Sequence, residues 1–150
     1  MAKFKYAEGL HLVHWYPEAA SQSFKKGQPV YLSGGKLTAC DNDEVQILGI
    51  ALADASGTTD TSIPVLLATP LTVFEAYSTD GGSDVTTAVT HVGKHYALYE
   101  SSNDVYVDLG DTDHDAFKVV DLVDDAGTTN GRVLVKVLAA ASQFDAKEAA

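Results

Sequence analysis

A single cysteine, Cys40, leaves this chain unable to close an internal disulfide or to assemble a cysteine-based zinc site. Its fold must hold by packing alone. Long apolar runs are missing as well: the longest stretches, such as residues 47–53, are too short to cross a bilayer as a helix. The first twenty residues carry Glu8, His11, His14 and Pro17 where a signal peptide needs an unbroken apolar core, so the sequence reads as neither secreted nor membrane-spanning. Basic side chains are scarce, with 10 lysines and arginines against 21 acids and Arg132 as the sole arginine. A nucleic-acid partner, whose phosphates call for a basic surface, is not expected. Glycine-rich phosphate cradles, CxxC pairs and HExxH are all absent, and Ser56-Gly57 lacks the preceding glycine and strand-to-helix elbow of an acyl-transfer nucleophile. No catalytic motif is recognisable, and no cofactor is implied.

What is present is enough for one packed core, since a chain of 150 residues buries about two-thirds of its unfolded surface on folding. The net charge of -11 is unevenly spread. Residues 1–40 hold Lys3, Lys5, Lys25, Lys26 and Lys36 against Glu8 and Glu18, a local excess of +3 that leaves -14 on the remainder. The start also differs in texture: an aromatic run, His11 to Tyr16, is cut off by Pro17 and followed by a polar, small-residue connector. Two readings fit this segment. Residues 1–22 are either an extended docking arm, with Trp15 and Tyr16 as rigid amphipathic anchors, or the first edge strand of the monomer's own sheet.

From residue 23 onward the pattern is that of short strands between glycine and aspartate turns. Residues 30–32 and 37–40 read as a hairpin about Gly34-Gly35, because paired glycines reach the positive φ angles that primed turns need. The run Ile47-Leu48-Gly49-Ile50 is too apolar for a strand with one wet face and reads as a central strand, with Gly49 where another backbone comes close. Pro64 removes a ladder donor, so its strand must begin at an edge or bulge. Strands follow over 71–77, 95–99, 105–109, 117–123 and 132–138, the last a clear alternation of Val133, Val135 and Val137; residues 85–92 read as a strand or one helical turn. The expected fold is all-β, a small antiparallel β-barrel or β-tulip-like domain over residues 23–139, with an N-terminal arm over 1–22 and a C-terminal tail over 140–150.

Candidate chemistry is thin. Asp111, Asp113 and Asp115 alternate as calcium ligands do, but Ala116 stands where the turn glycine belongs and Leu122 where the bidentate glutamate belongs. A solvated acidic loop is the better account, ahead of a looser cation site with Asp108. His11 and His14, three apart, would face one side only on a helix, which Pro17 and the β-rich body disfavour, and the helical spacing of His91 with His95 across Gly93 argues equally for a turn, so no metal site is assigned. Cys40 precedes Asp41, a carboxylate that disfavours its thiolate, which makes it a structural thiol.

The stretch Phe24-Lys25-Lys26-Gly27-Gln28-Pro29-Val30-Tyr31-Leu32, followed by Leu48-Gly49-Ile50-Ala51-Leu52-Ala53-Asp54-Ala55-Ser56-Gly57 and Ile63-Pro64-Val65-Leu66, resembles the head-decoration or capsid-cement proteins of tailed bacteriophages. The likeness covers residues 23–75, with a weaker echo in 105–109 and the final strand. It implies a non-catalytic structural protein of the virion, made in the host cytoplasm and bound to the outer capsid surface. Its partner would be the major capsid protein, engaged as a homotrimer at local three-fold positions. On that reading the capsid or intersubunit contacts fall on Lys3, Lys5, His11, His14, Trp15 and Tyr16. A different class, a small carbohydrate- or peptide-binding β-barrel, would use Tyr77, Tyr96, Tyr99 and Tyr106 as a stacking surface. Tyrosines grouped on one exposed face would favour it, and scattered ones would favour packing. A hydrolase would need serine, aspartate and histidine within hydrogen-bond reach in a concave pocket.

Overall fold

The computed structural model describes residues 2–144. Along them run β1 (Lys5–Gly9), β2 (Val13–Pro17), β3 (Pro29–Ser33), β4 (Lys36–Ala39), β5 (Gly49–Ala51), β6 (Ser62–Leu67), β7 (Thr72–Thr79), β8 (His95–Ser101), β9 (Asp104–Asp108), β10 (Phe117–Leu122) and β11 (Arg132–Val137). A single 3-10 turn, Val89–His91, lies between β7 and β8, in the stretch whose pattern left strand and helical turn open. The chain is all-β, as its turn spacing implies.

The barrel is built from the C-terminal half. Strands β7, β11, β10, β8 and β9 pair in that order, and β9 returns to β7, closing the ring. That last contact is parallel, Ser78 against Val107 and Thr79 against Asp108, so the barrel is mixed rather than wholly antiparallel. Parallel neighbours need a crossover, and β8 supplies it between β7 and β9. Phe74, Leu98, Val107, Phe117, Val119 and Val135 point inward, on the alternating positions of their strands.

The second sheet, in the order β2-β6-β5-β3-β4, is antiparallel and lies against the barrel. Ile50 and Leu66 on one face join the barrel's core, while Val30, Leu37, Val65 and Leu67 on the other gather a second cluster with Phe24. Beyond β2 the chain bridges Glu18 to Leu37 on β4, so this sheet also curls toward closure. Several local expectations hold for the stated physical reasons. Gly34 and Gly35 take φ of 58 and 80 in the β3–β4 turn. A Cβ on Gly49 would stand 2.1 Å from the Leu66 carbonyl oxygen, so only glycine lets β5 approach β6. Pro64 sits where the β5 ladder gives out: the paired register with β5 ends at Val65, and Pro64, with no N–H to donate, adds only its carbonyl, which accepts from Leu52 N–H at 2.9 Å.

The extended arm over residues 1–22 is not what the chain forms. β1 pairs with β7, β2 pairs with β6, and Phe4, only 2% exposed, packs its ring 5.1 Å from that of Phe117 in the main core. Both strands lie at sheet edges, which is the intrinsic-strand alternative. The reason is the apolar content at alternate positions: Phe4 and Val13 have more surface to hide than a solvated arm can leave exposed. The C-terminal tail divides. Residues 140–144 dock onto the second sheet, where the Gln143 side chain accepts from Leu32 N–H at 2.6 Å and donates to its carbonyl at 3.1 Å. Residues 145–150 lie outside the described residues.

Candidate functional site

The six expected contact residues separate into two groups. Lys3 and Lys5 face the chain's own acids: the Lys3 ammonium meets the Asn103 carbonyl and stands 3.6 Å from Asp104, and that of Lys5 is 3.1 Å from Glu75. Lys25 and Lys36 likewise lie 4.0 Å from Asp54 and 2.8 Å from Asp60. Four of the five early lysines therefore lie within 4.0 Å of carboxylates of the same fold. Tyr16 is half-buried against the second cluster, and burial raises its phenol above the usual range.

The others look outward. Trp15, 65% exposed, faces Pro64 across the β2–β6 ladder, and His14 beside it is exposed. His11 meets the edge of the Tyr6 ring at 4.8 Å. Two residues that sequence reasoning passed over also face outward: Leu10, whose N–H donates to the Leu71 carbonyl at 2.9 Å, and Leu71, which is 68% exposed. Lone leucines beside turns look the same in sequence whether they cover a core or leave it. Here the chain holds them out on a fixed backbone, since Gly9 (φ +90) presses against the Leu71 carbonyl too closely for any Cβ. The result is an outward apolar group of Tyr6, Leu10 and Leu71 at the β1–β7 end, with Trp15 outward separately on β2 of the second sheet.

Reactive groups are tied up in structure. Burial, then Glu44 and Asp41, push the Cys40 thiol well above its usual range, which suits a structural thiol. Glu18 is fully buried, and its carboxylate accepts from Ser56 N–H at 2.9 Å, from the Ser56 hydroxyl and from Gly57 N–H at 3.1 Å. Ser56 thus serves a carboxylate and not a histidine. Arg132 forks onto Asp124 at 2.7 and 3.1 Å and reaches Glu75 at 3.5 Å, so the one guanidinium is held inside an ion-pair network.

The acidic loop also divides its labour. Asp111 accepts from Asp113 N–H at 2.8 Å, Asp108 accepts from Gly81 and Gly110 N–H at 3.0 Å each, and Asp115 lies 3.9 Å from His95. These acids do not converge as a calcium loop. Asp43, Asp111 and His114 do come together, with one ligand atom from each inside a 4.8 Å cluster. His114 Nδ1 is 2.9 Å from Asp111 and 3.8 Å from Asp43, and its hydrogen bond to Asp111 raises its pKa despite some desolvation. Burial, then contact with Asp111, raises Asp43; burial also opposes ionisation of Asp111, but hydrogen bonds from Asp113 N–H, His114 and Asp43 outweigh it and lower that group. An imidazolium bridging two carboxylates is the plain chemistry. Because the folded pKa of His114 is raised, its contribution is fully present below about pH 6.5 and is lost as pH rises through the higher folded value. His91, lowered by burial and then by Lys94, works oppositely as pH falls. His114→Gln is expected to flatten the decline in melting temperature between pH 6 and 8. An unchanged profile in paired thermal scans would remove His114 from the balance.

The tyrosines are neither all gathered nor scattered. Tyr96 is buried in the barrel core, whereas Tyr99 and Tyr106 are cross-strand partners with ring centroids 6.2 Å apart at 52°. They line a cleft of about 380 Å³ with Asp84, Ser101 and Asn130. Tyr106 and Asn130 also border a neighbouring hollow of about 230 Å³, whose far side is Tyr77. Comparison with protein-family models, with curated proteins and with solved structures finds no match to this chain.

Proposed function

We propose that this chain is a capsid decoration protein, binding the outside of a tailed-phage head as a homotrimer and bridging neighbouring major capsid subunits. The observation that carries the reading is the set of outward apolar side chains on or beside the paired N-terminal strands, Tyr6, Leu10 and Leu71 at one end and Trp15 on β2. Large exposed aromatics on a rigid backbone lose little entropy when a partner covers them, and they are the usual anchors of protein interfaces. The sequence likeness over residues 23–75 supports the same role. No chemical step is needed, because a cement protein acts by adding buried area where shell subunits meet and by the multivalency of its oligomer.

The fold changes how docking works. Attachment rests on pre-ordered apolar side chains rather than on an arm that orders on binding, and Lys3 and Lys5 contribute to it through the monomer's own stability. Trp15→Ala is expected to leave the melting temperature near that of the parent, since the indole is largely solvent-exposed. In co-sedimentation with undecorated capsids it should weaken binding by roughly thirtyfold or more per engaged site, matching the loss of about 2 kcal/mol typical of a buried anchor. Light scattering should give a mass of three chains. Undiminished capsid binding by the folded Trp15→Ala and Leu71→Ser double variant would exclude these outward side chains as docking anchors.

A further inference from the structure

We propose that the cleft between Tyr99, Tyr106 and Asp84 is a binding site for a short neutral oligosaccharide, with Tyr77 extending the platform to a further sugar unit. The site uses none of the residues assigned to capsid docking.

Its walls come from three separate parts of the chain. The β8–β9 hairpin supplies Tyr99 and Tyr106, directly opposite each other on the side turned away from Leu98, Val105 and Val107. The turn after β7 supplies Ser83 and Asp84, and the loop before β11 supplies Asn130. The turn is rigidly held: Asp80 and Ser83 exchange backbone hydrogen bonds of 2.9 Å, Gly82 N–H donates to Thr79 Oγ1 at 3.1 Å, and Gly81 N–H donates to the Asp108 carboxylate at 3.0 Å. The Tyr99 hydroxyl lies so close over Gly82 that a Cβ there would be 2.6 Å from it. Asn130 is fixed by donating to the Ser78 carbonyl at 3.0 Å. The cleft is thus formed before any ligand arrives, which reduces the ordering cost of binding.

Its polar groups are free for a ligand. Among the described residues, the hydroxyls of Tyr99, Tyr106 and Ser101 and the carboxylate of Asp84 bond to no other protein group, although the interior polar side chains of the molecule are all satisfied. Aromatic faces beside a carboxylate, an amide and hydroxyls suit a pyranose, which offers an apolar C–H face to a ring and equatorial hydroxyls to acceptors and donors. Lipids are disfavoured by the polar lining. Anionic ligands, including phosphorylated or sialylated sugars, are disfavoured by Asp84 in a protein of net charge -11. The alignment of Tyr99, Tyr106 and Tyr77 along two adjoining hollows makes an open shelf, not the enclosing box that holds a quaternary ammonium ion.

The test is NMR titration of the full chain with maltotriose, cellotriose and triacetylchitotriose at millimolar concentration, with tetramethylammonium chloride and sialyllactose as separate arms. Saturable amide shifts at Gly82, Tyr99 and Tyr106 with at least one neutral trisaccharide are expected, with no such response to sialyllactose. Tyr106→Ala should weaken that binding by about tenfold or more. Asp84→Asn, which disturbs no internal partner and so keeps the fold, should weaken it several-fold, and it decides the matter if the tyrosine variant does not fold. The proposal is overturned if none of the three trisaccharides shifts the cleft, if the folded variants bind as the parent does, or if only tetramethylammonium binds there.

Discussion

Removal of residues 1–22 is expected to abolish cooperative folding: a chain beginning at Ser23 should show no sigmoidal unfolding in a thermal scan followed by circular dichroism. The deletion strips β1 from β7 and β2 from β6, and it takes Phe4 out of the main core, where its ring packs on Phe117. Loss of a buried phenylalanine side chain alone costs about 3–5 kcal/mol. The whole domain has about 5–15 kcal/mol to lose. Removing Phe4, Val13 and Glu18 together exhausts that margin, and exposing the flanks of β6 and β7 adds unpaired edges prone to aggregation. Phe4→Ala provides the graded control, with a cooperative transition retained at a clearly lower temperature. A truncated chain that unfolds cooperatively near the parental melting point would show that the N-terminal strands are accessory to the fold.

The second large effect belongs to Glu18. Its carboxylate is fully buried and accepts three hydrogen bonds from Ser56 and Gly57, tying the β5–β6 loop to the chain just after β2. The backbone reinforces the same junction, with Glu18 N–H donating to the Thr61 carbonyl at 2.8 Å and Asp60 N–H donating to that of Glu18 at 2.9 Å. Glu18→Ala leaves the Ser56 and Gly57 donors facing a void. Bonds to a charged acceptor are each worth about 1.5–3 kcal/mol, offset in part by the relieved cost of burying the charge. A net loss of about 2–4 kcal/mol is expected, or a fall in melting temperature of roughly 5–15 °C for a chain of this length. Glu18→Gln should fall between the two, since it keeps one acceptor but points an amide N–H₂ at a donor. Chemical denaturation with unchanged m-value checks this, and a Glu18→Ala variant as stable as the parent would mean that the loop finds other partners at no cost.

Both effects arise in the segment where the sequence was hardest to read. Trp15, Pro17 and the polar connector looked like a break between arm and body because a proline and small residues end regular structure locally. They do end β2, but the chain then turns into a bridge between β6 and β4, and nothing within five residues of Glu18 identifies Ser56 and Gly57 as its partners. The surroundings of the lysines are hidden from the sequence for a related reason. Their clustering in sequence is plain, yet the acids that balance them, Asp54, Asp60, Glu75 and Asp104, are contributed by strands and loops brought close only by folding. The tyrosine platform was half legible: alternation puts Tyr99 and Tyr106 on the outer side of their strands, but the hairpin register had to make them neighbours, and burial removed Tyr96 from the set.

The sequence by itself determined the all-β class, most strand positions, the β3–β4 turn and the close approach at Gly49, because these follow from side-chain periodicity and from φ angles that glycine alone adopts freely. It also determined the want of any recognisable catalytic motif or membrane-length apolar run. Tertiary structure alone decided that β9 closes the barrel in parallel against β7, that the N-terminal strands belong to the core, that Glu18 is buried beside Ser56 and Gly57, that Trp15 and Leu71 face outward, and that Tyr99 and Tyr106 line one cleft. Each of those depends on contacts between residues tens of positions apart, whose pairing is set by how two curved sheets bury their apolar faces together rather than by the local preferences written along the chain.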